Sequence, residues 1–270
     1  MRDLSTLAGI GTGAASGSGG TQGRRLTWWG FLGLVLVYLA IIKGGGRLIG
    51  GEVDPSEGYD TAGNVVRAGL IPIALSAVFA VLVATWLRWW PEIVHEPLRT
   101  ARWVAAIPIV LLAVAVIGTS WGNLLDQDAG LVAAVVVMVC LVGFTEELMF
   151  RGIGVVEFRR MGLTEARVAL YSSVVFGAVH LSNALGTGAS AIAQAAAVSL
   201  TGYFLYLTRR WAGVIWVAMV VHSSQDFLIL SGQIGEDAEP SPLSVLVLPA
   251  MIGLAILVWR RRGRIDPAPR

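Results

Sequence analysis

The stretch GLVAAVVVMVCLVGFTEELMFRG, residues 130–152, carries two adjacent carboxylates and an arginine at the end of a long apolar run. The run is about as long as the ~20 residues that a helix needs to cross a lipid bilayer. An ionisable side chain inside hydrocarbon costs at least ~2.5 kcal/mol on insertion scales, so each one is a candidate functional residue. The stretch therefore predicts a membrane helix with a polar site near one end.

The composition of the chain also indicates a membrane protein. Its mean hydropathy is +0.70, and 55% of its 270 residues are hydrophobic. Only 14% are charged, whereas about a quarter are charged in soluble domains. The one cysteine, Cys140, excludes an intramolecular disulfide and a cysteine-based zinc cluster, and we interpret it as a small buried apolar side chain.

Eight apolar segments predict an all-α polytopic membrane fold with eight transmembrane helices. They lie near 27–42, 68–87, 103–119, 130–150, 167–182, 190–207, 212–230 and 243–259. The sixth and seventh are separated only by a short turn, which the sequence places at Arg209–Trp211. Most charged residues lie in this turn and in the other connections between the segments.

Basic residues between the segments predict the orientation of the chain. Arginines collect at 88–102, 159–167 and 209–210 and after 259, whereas acidic residues occupy the opposite loops near 126–128 and 236–239. Because basic residues near membrane ends mark the cytoplasmic side, we expect both termini in the cytoplasm. These loops are interpreted as topology signals, and no nucleic-acid partner is expected.

The predicted domains follow from this segmentation. A disordered cytoplasmic tail is expected at 1–25, because this region is rich in glycine, serine and threonine and lacks periodicity. The eight-helix membrane domain is expected at 26–260, followed by a basic cytoplasmic tail at 261–270. Nineteen arginines against one lysine favour a bacterial plasma membrane as the location.

Few ionisable residues fall inside the predicted spans. They are Glu146, Glu147 and Arg151 on the fourth segment, His180 on the fifth, and His222 and Asp226 on the seventh. Glu147 and Arg151 are four residues apart with the acid first, the favourable order for a helical ion pair. Glu146 points about 100° away around the helix and is free to face a cavity. Asp226 follows His222 by four residues and can fix the orientation of that ring.

These groups meet at one depth only if the fourth helix continues beyond its apolar run. At ~1.5 Å per residue, His222 and His180 lie about 15 and 20 Å inside their segments. We therefore expect the fourth helix to extend to about Val156 or Phe158. Three helices would then bring one carboxylate and two imidazoles to a common polar cavity.

Two loop features have simpler interpretations. Glu157 and Glu165 lie beside arginines between the fourth and fifth segments, and we expect them to form surface ion pairs. His95 lies in a polar loop and is expected to be solvated.

Three motifs resemble those of a known family. EELMFR at 146–151 fits E-E-x-x-x-R, FGAVH at 176–180 fits F-x-x-x-H, and HSSQD at 222–226 fits H-x-x-x-N/D. Over roughly 130–230 the sequence resembles the CAAX prenyl protease 2 and bacteriocin-processing family, also called CPBP or ABI. The resemblance implies an intramembrane glutamate-type endopeptidase with eight helices and a cavity open to the cytoplasm and the bilayer.

The resemblance also implies roles for individual residues. Glu146 would activate a water molecule together with His180, while His222 and Asp226 would line the oxyanion site. Supporting residues would be Glu147, Arg151, Phe176 and Asn183. The prenyl protease branch has asparagine at the position of Asp226. Because an ionised aspartate cannot donate a hydrogen bond, Asp226 is either protonated there or orients His222.

Several alternatives stay open. Glu146, His180 and His222 would also make a catalytic zinc set, although the resemblance favours a reaction without a metal or other cofactor. A non-catalytic immunity or scaffold protein would use buried polar contacts to hold its helices together. A transporter or proton relay also needs intramembrane carboxylates and histidines. The expected partners are the lipid bilayer and a peptide or membrane-protein substrate.

Overall fold

The computed structural model describes residues 23–45, 48–49, 51–183 and 190–266. The described residues are all-α and contain no strand, and one isolated backbone bridge joins His95 and Val214. Most of the predicted N-terminal tail and the last four residues of the predicted C-terminal tail lie outside these ranges.

Each predicted apolar segment coincides with a helix. The helices are α1 (Trp28–Gly45), α2 (Ala62–Leu87), α3 (Trp90–Val94), α4 (Arg102–Gly118), α5 (Trp121–Asp126), α6 (Ala129–Arg160), α7 (Glu165–His180), α8 (Ser190–Ala212), α9 (Trp216–Ser231) and α10 (Pro242–Arg264). Short 3-10 turns lie at Pro55–Glu57 and Leu181–Asn183.

Five of the described helices, α1, α2, α6, α8 and α10, are long and apolar enough to cross a membrane. α4 is apolar but shorter. α7 and α9 have 16 residues each, fewer than the ~20 that a straight crossing needs. Several apolar helices of this kind indicate a multi-pass membrane protein, while the eight crossings and the orientation of the termini stay predictions.

The predicted continuation of the fourth helix is confirmed, because α6 runs to Arg160. Between Glu147 and Gly154 its turns have π rather than α geometry. Short π segments inside α-helices are frequent at functional sites. Every residue from Thr145 to Phe158 is buried, so the chain covers this polar stretch with other helices. The predicted burial of Cys140, earlier on α6, is wrong, because this residue is exposed on the protein surface.

An aromatic core surrounds the π segment. The ring centroid of Phe150 lies 5.1 Å from that of Phe176 and 6.0 Å from that of Tyr38. Further along α6, Phe158 packs edge-on against Phe31 at 5.2 Å. Buried aromatic pairs of this kind contribute through both their area and their ring contacts, and they fix α6 against α1 and α7.

Two glycines allow the site-bearing helices to approach closely. A Cβ on Gly143 of α6 would lie 2.8 Å from the carbonyl oxygen of Met219 on α9. A Cβ on Gly177 of α7 would overlap the carbonyl of Ala195 on α8. Small residues permit such close contacts between membrane helices. The first contact brings α9, which carries His222, against α6, and the second brings α7, which carries His180, against α8.

Candidate active site

The two adjacent glutamates of α6 have different surroundings. Glu147 Oε1 lies 2.9 Å from Arg151 Nη1, and both side chains are fully buried. Glu146 is 9% exposed and faces a cavity. The ion pair that the spacing predicts is therefore present, and it leaves Glu146 outside it.

His222 of α9 lies between three carboxylates. Its Nδ1 is 2.9 Å from Glu147 Oε1, while its Nε2 is 3.5 Å from Glu146 Oε2 and 3.6 Å from Asp226 Oδ2. Glu147 therefore fixes the orientation of the His222 ring through its contact with Nδ1. The spacing had also allowed Asp226 to orient this ring, but Asp226 faces the other nitrogen.

The contacts of His222 require an additional proton in this cluster. If Nδ1 donates its hydrogen to Glu147, Nε2 of a neutral ring has only a lone pair to offer. Two ionised carboxylates would repel that lone pair. A proton on Nε2 removes the repulsion from both carboxylates, and a proton on Asp226 removes one of the two, so the cluster can hold a proton next to the cavity.

Asp226 also influences the pKa of Tyr59, which lies in the loop before α2. Burial, and then the charge of Asp226, raise the pKa of Tyr59 above its usual value. The Oδ2 atom of Asp226 is buried and has no hydrogen-bond partner among the described residues. Its carboxyl group is therefore less well compensated than that of Glu147, which has Arg151 beside it.

Phe176 connects the cationic and imidazole groups of the site. The Cζ atom of Arg151 lies 4.0 Å from the centroid of its ring, a cation–π contact. The rings of His180 and His222 meet it edge-on at 5.1 and 5.7 Å. Phe176 therefore packs against both histidines and against the arginine of the buried ion pair.

The backbone of α7 sets the tautomer of His180. Its Nδ1 lies 3.0 Å from the carbonyl oxygen of Phe176. Because a carbonyl can only accept, Nδ1 carries the hydrogen and Nε2 of the neutral ring keeps a lone pair. That nitrogen is an acceptor, as a general base must be.

The predicted catalytic residues share one cavity. Glu146, His180, His222 and Asp226 line a cavity of 760 Å³ enclosed by α6 to α10. The remaining lining is mainly apolar and includes Ala197, Leu200, Val245, Leu248 and Ile252. The volume falls within the range of about 300–1,000 Å³ that is usual for ligand sites.

Two features lie apart from this arrangement. Asn183 ends the 3-10 turn after α7, and its side chain lies outside the part that the structure describes. A second cavity of 830 Å³, lined by residues such as Asp60, Asn123 and Asp237, contains none of the predicted catalytic residues. Size alone therefore does not identify the site.

The side chains as placed do not form the alternative zinc set. Within the described ranges, no group of three or more His, Cys, Asp or Glu side chains could hold a metal ion. The Nδ1 atoms of His180 and His222 face Phe176 and Glu147, which leaves each ring only Nε2 for a ligand. We therefore assign no reaction step to a metal ion, and cofactor use stays a prediction.

Arg209 is a buried support that the sequence did not reveal. The predicted turn at Arg209–Trp211 is wrong, because α8 continues to Ala212 and the chain turns at Gly213, where φ is +77°. The guanidinium of Arg209 donates to the carbonyl oxygen of Arg151 and, at 2.8 Å, to that of Glu92. It thus holds the π segment from outside the cavity, but Arg209 and Arg210 look alike in the sequence.

Gln225 is a second residue that motif reasoning passed over. Its Nε2 donates to the carbonyl of Leu111 at 2.8 Å, and the side chain lines the cavity beside Asp226. It connects α9 to α4 and so fixes the helix that carries His222.

Residues 128–228 match the family model described as type II CAAX prenyl endopeptidase Rce1-like. This segment is similar to the Rce1-like family. The match confirms the family resemblance and covers α6 to α9 almost completely, including every predicted site residue. It supports a membrane protease in general. No curated protein and no solved structure matched the chain.

Proposed function

We propose that the protein is an intramembrane glutamate-type endopeptidase in which Glu146 and His180 activate a water molecule. The observation that carries the proposal is the shared cavity, in which Glu146 stands outside the Glu147–Arg151 ion pair while His180 offers the lone pair of Nε2. A carboxylate and a neutral imidazole on one cavity wall are suitable general bases.

In the proposed reaction, Glu146 takes a proton from water, with His180 Nε2 accepting the second hydrogen bond of that water. The water oxygen attacks the carbonyl carbon of the peptide bond and gives a tetrahedral oxyanion. The proton then passes from Glu146 to the leaving nitrogen as the C–N bond breaks, so Glu146 ends the cycle ionised. Donors near the oxyanion stabilise it, and such donors contribute much of the rate in acyl transfer.

We assign the additional proton near His222 to its Nε2 or to Asp226, which leaves Glu146 ionised as the base and provides a donor. A hydrogen on Nε2 of His222 faces the cavity side, where it can donate to the oxyanion. Asp226 can donate only if it holds the proton itself. Glu147 keeps the His222 ring in position through Nδ1 and is itself held by Arg151.

The mixed lining of the cavity suggests the substrate class. A scissile peptide bond needs the polar residues, while apolar side chains of the substrate can pack on Leu200, Leu248 and Ile252. We therefore favour a peptide or membrane-protein segment that lies in the bilayer of a bacterial plasma membrane. Eight crossings with both termini in the cytoplasm belong to this proposal.

The test is a comparison of membrane peptides from cells that express the wild type or the Glu146→Gln variant. We expect precursors to accumulate with the variant, and their ends define the cleavage position. Glu239→Gln, an exposed change in the loop before α10, is the matched control. If Glu146→Gln and His180→Ala fold normally and leave the peptides and the cellular phenotype unchanged, a non-catalytic scaffold or immunity role replaces the protease.

Metal use is tested on the same material. We expect cleavage by purified protein to survive treatment with a strong chelator. Loss of cleavage that added Zn²⁺ restores would replace the metal-free proposal with a zinc enzyme.

A further inference from the structure

A buried carboxylate near the Arg160 end of α6 has no part in the proposed reaction. The side chain of Glu157 is 1% exposed, and its Oε1 has no hydrogen-bond partner among the described residues. The predicted surface ion pair is wrong for Glu157, because Arg160 pairs with Glu92 at 2.7 Å and Arg159 with Glu165 at 2.8 Å. An unpaired buried carboxylate is costly, so a donor that supplies hydrogen bonds to it would be bound favourably.

Glu157 lines a cavity that also contains two arginines. This cavity of 460 Å³ is bounded by Gly23, Arg25, Leu26, Glu157, Arg160 and Met161. Arg25 is exposed, and Arg160 uses one face to pair with Glu92 while its Cζ stacks 4.8 Å from the ring of Trp89. The cavity therefore offers one anionic acceptor and two cationic groups to a single ligand.

An apolar groove adjoins this cavity. It has a volume of 630 Å³ and is lined by Trp28, Met161, Leu163, Tyr171, Val174 and Val175. Met161 borders both spaces, so a ligand with a charged head and an apolar chain could occupy them together. Trp28 begins α1 and Arg160 ends α6, and both helices are long enough to cross a bilayer. Such helix ends lie at the level of lipid headgroups, where tryptophan is enriched.

We propose that the cavity and the groove together bind phosphatidylethanolamine, a phospholipid whose headgroup carries a phosphate and a primary ammonium. The ammonium donates to Glu157, the phosphate lies between Arg25 and Arg160, and one acyl chain occupies the groove. An ammonium has three N–H donors for the unpartnered oxygen, whereas a choline headgroup has none. A headgroup with phosphate but no cation would leave Glu157 unsatisfied.

The experiment measures lipid retained by the purified full-length chain. The protein is exchanged into detergent and titrated with phosphatidylethanolamine, phosphatidylcholine or phosphatidylglycerol of identical acyl chains, and bound lipid is counted by native mass spectrometry. We expect phosphatidylethanolamine to bind about tenfold more tightly than phosphatidylcholine, the effect of one charge-assisted hydrogen bond. Glu157→Gln should remove this preference, whereas Glu236→Gln, an exposed change in a distant loop, should keep it.

A second variant keeps the proposal testable if Glu157→Gln does not fold. Arg25 is exposed, and we expect Arg25→Gln to fold and to weaken both phosphatidylethanolamine and phosphatidylglycerol. Equal binding of the choline and ethanolamine lipids by the wild type overturns the proposal. Tighter binding of phosphatidylglycerol than of phosphatidylethanolamine also overturns it and assigns the cavity to phosphate recognition alone.

Discussion

Two clusters of buried and partly buried charge are balanced differently. The first, the paired cluster, consists of Glu96, Arg159, Glu165 and Arg209. Arg159 forks onto Glu165 at 2.8 and 2.9 Å and reaches Glu96 at 2.9 Å. Arg209 lies 3.4 Å from the same Glu96 carboxylate. Two acids thus meet two arginines at short distances, and the hydroxyl of Tyr206 also donates to Glu165.

The second, the cavity cluster, consists of Glu146, Glu147, Arg151, His222 and Asp226. Three acids face one arginine and one histidine, two of the contacts reach 3.5 and 3.6 Å, and carboxylate oxygens of Glu147 and Asp226 have no hydrogen-bond partner among the described residues. Saturated ion pairs hold helices in place, whereas surplus charge in a cleft is characteristic of functional sites. The paired cluster therefore has the features of a structural ion-pair network, and the cavity cluster has those of a functional site.

The largest effect is expected where the cavity cluster loses its cation. Arg151→Met leaves Glu147 buried without its partner, and removal of one member of a buried pair costs about 3–5 kcal/mol. We expect a strong fall in the melting temperature measured in detergent. The double variant Glu147→Gln with Arg151→Met should recover part of this loss. A double variant no more stable than Arg151→Met would show that the loss of stability does not come from leaving Glu147 unpaired.

Activity should depend most on the one carboxylate that the cavity cluster leaves outside the ion pair. Glu146→Gln preserves shape but removes the base, and loss of general-base catalysis costs about 10²–10⁴-fold in rate. We expect cleavage to fall in that range while the melting temperature stays near the wild-type value. Full activity in a folded Glu146→Gln protein would contradict the assignment of this glutamate.

Arg209 belongs to the paired cluster but contacts the backbone of the π segment. A change at this residue therefore tests whether the paired cluster affects the site. Lysine cannot reproduce a guanidinium that binds two carbonyls and a carboxylate. We expect Arg209→Lys to slow cleavage by about tenfold and to shift the imidazole ¹⁵N signals of His222. Arg210→Lys is the matched control, since Arg210 contacts Leu98 and Asp266 instead. Equal effects of the two variants would argue against a connection through Arg151.

The smallest effect is expected at the exposed edge. Asp266 pairs with Arg210 at 2.7 Å, but its side chain is 72% exposed. Exposed ion pairs contribute about 0–1 kcal/mol because water and salt screen them. Asp266→Asn should therefore change the free energy of unfolding by less than about 1 kcal/mol in detergent. A loss comparable to that of Arg151→Met would remove the distinction drawn between buried and exposed pairs.

The sequence predicted the helices well, because long apolar runs report directly on burial in lipid. It also predicted the length of α6, because His180 and His222 had to meet Glu146 at one depth. It could not predict the π segment, since the expected 100° between adjacent side chains assumes regular α geometry. The contact of Glu147 with His222 joins positions 75 residues apart, and no local spacing encodes it.

Two further differences have the same origin. Glu157 and Arg209 each lie beside arginines in sequence, where a solvated ion pair or a basic turn is the simplest interpretation. Their burial depends on how other helices pack around α6, which is a property of the tertiary structure. Local charge patterns describe the neighbours along the chain but not the partners across it.

The π segment has a consequence for insertions and deletions. It accommodates one more residue per turn than its flanks, so deletion of a single residue between Leu148 and Ile153 would allow the helix to return to ordinary α geometry. Because the wide turn takes up the extra residue, the parts of α6 on either side would keep nearly the same facing directions after such a deletion. A deletion in the regular turns just before Glu146 would instead rotate this residue by about 100° relative to the preceding part of the helix. The π segment can therefore absorb a change in length that the regular turns of α6 cannot.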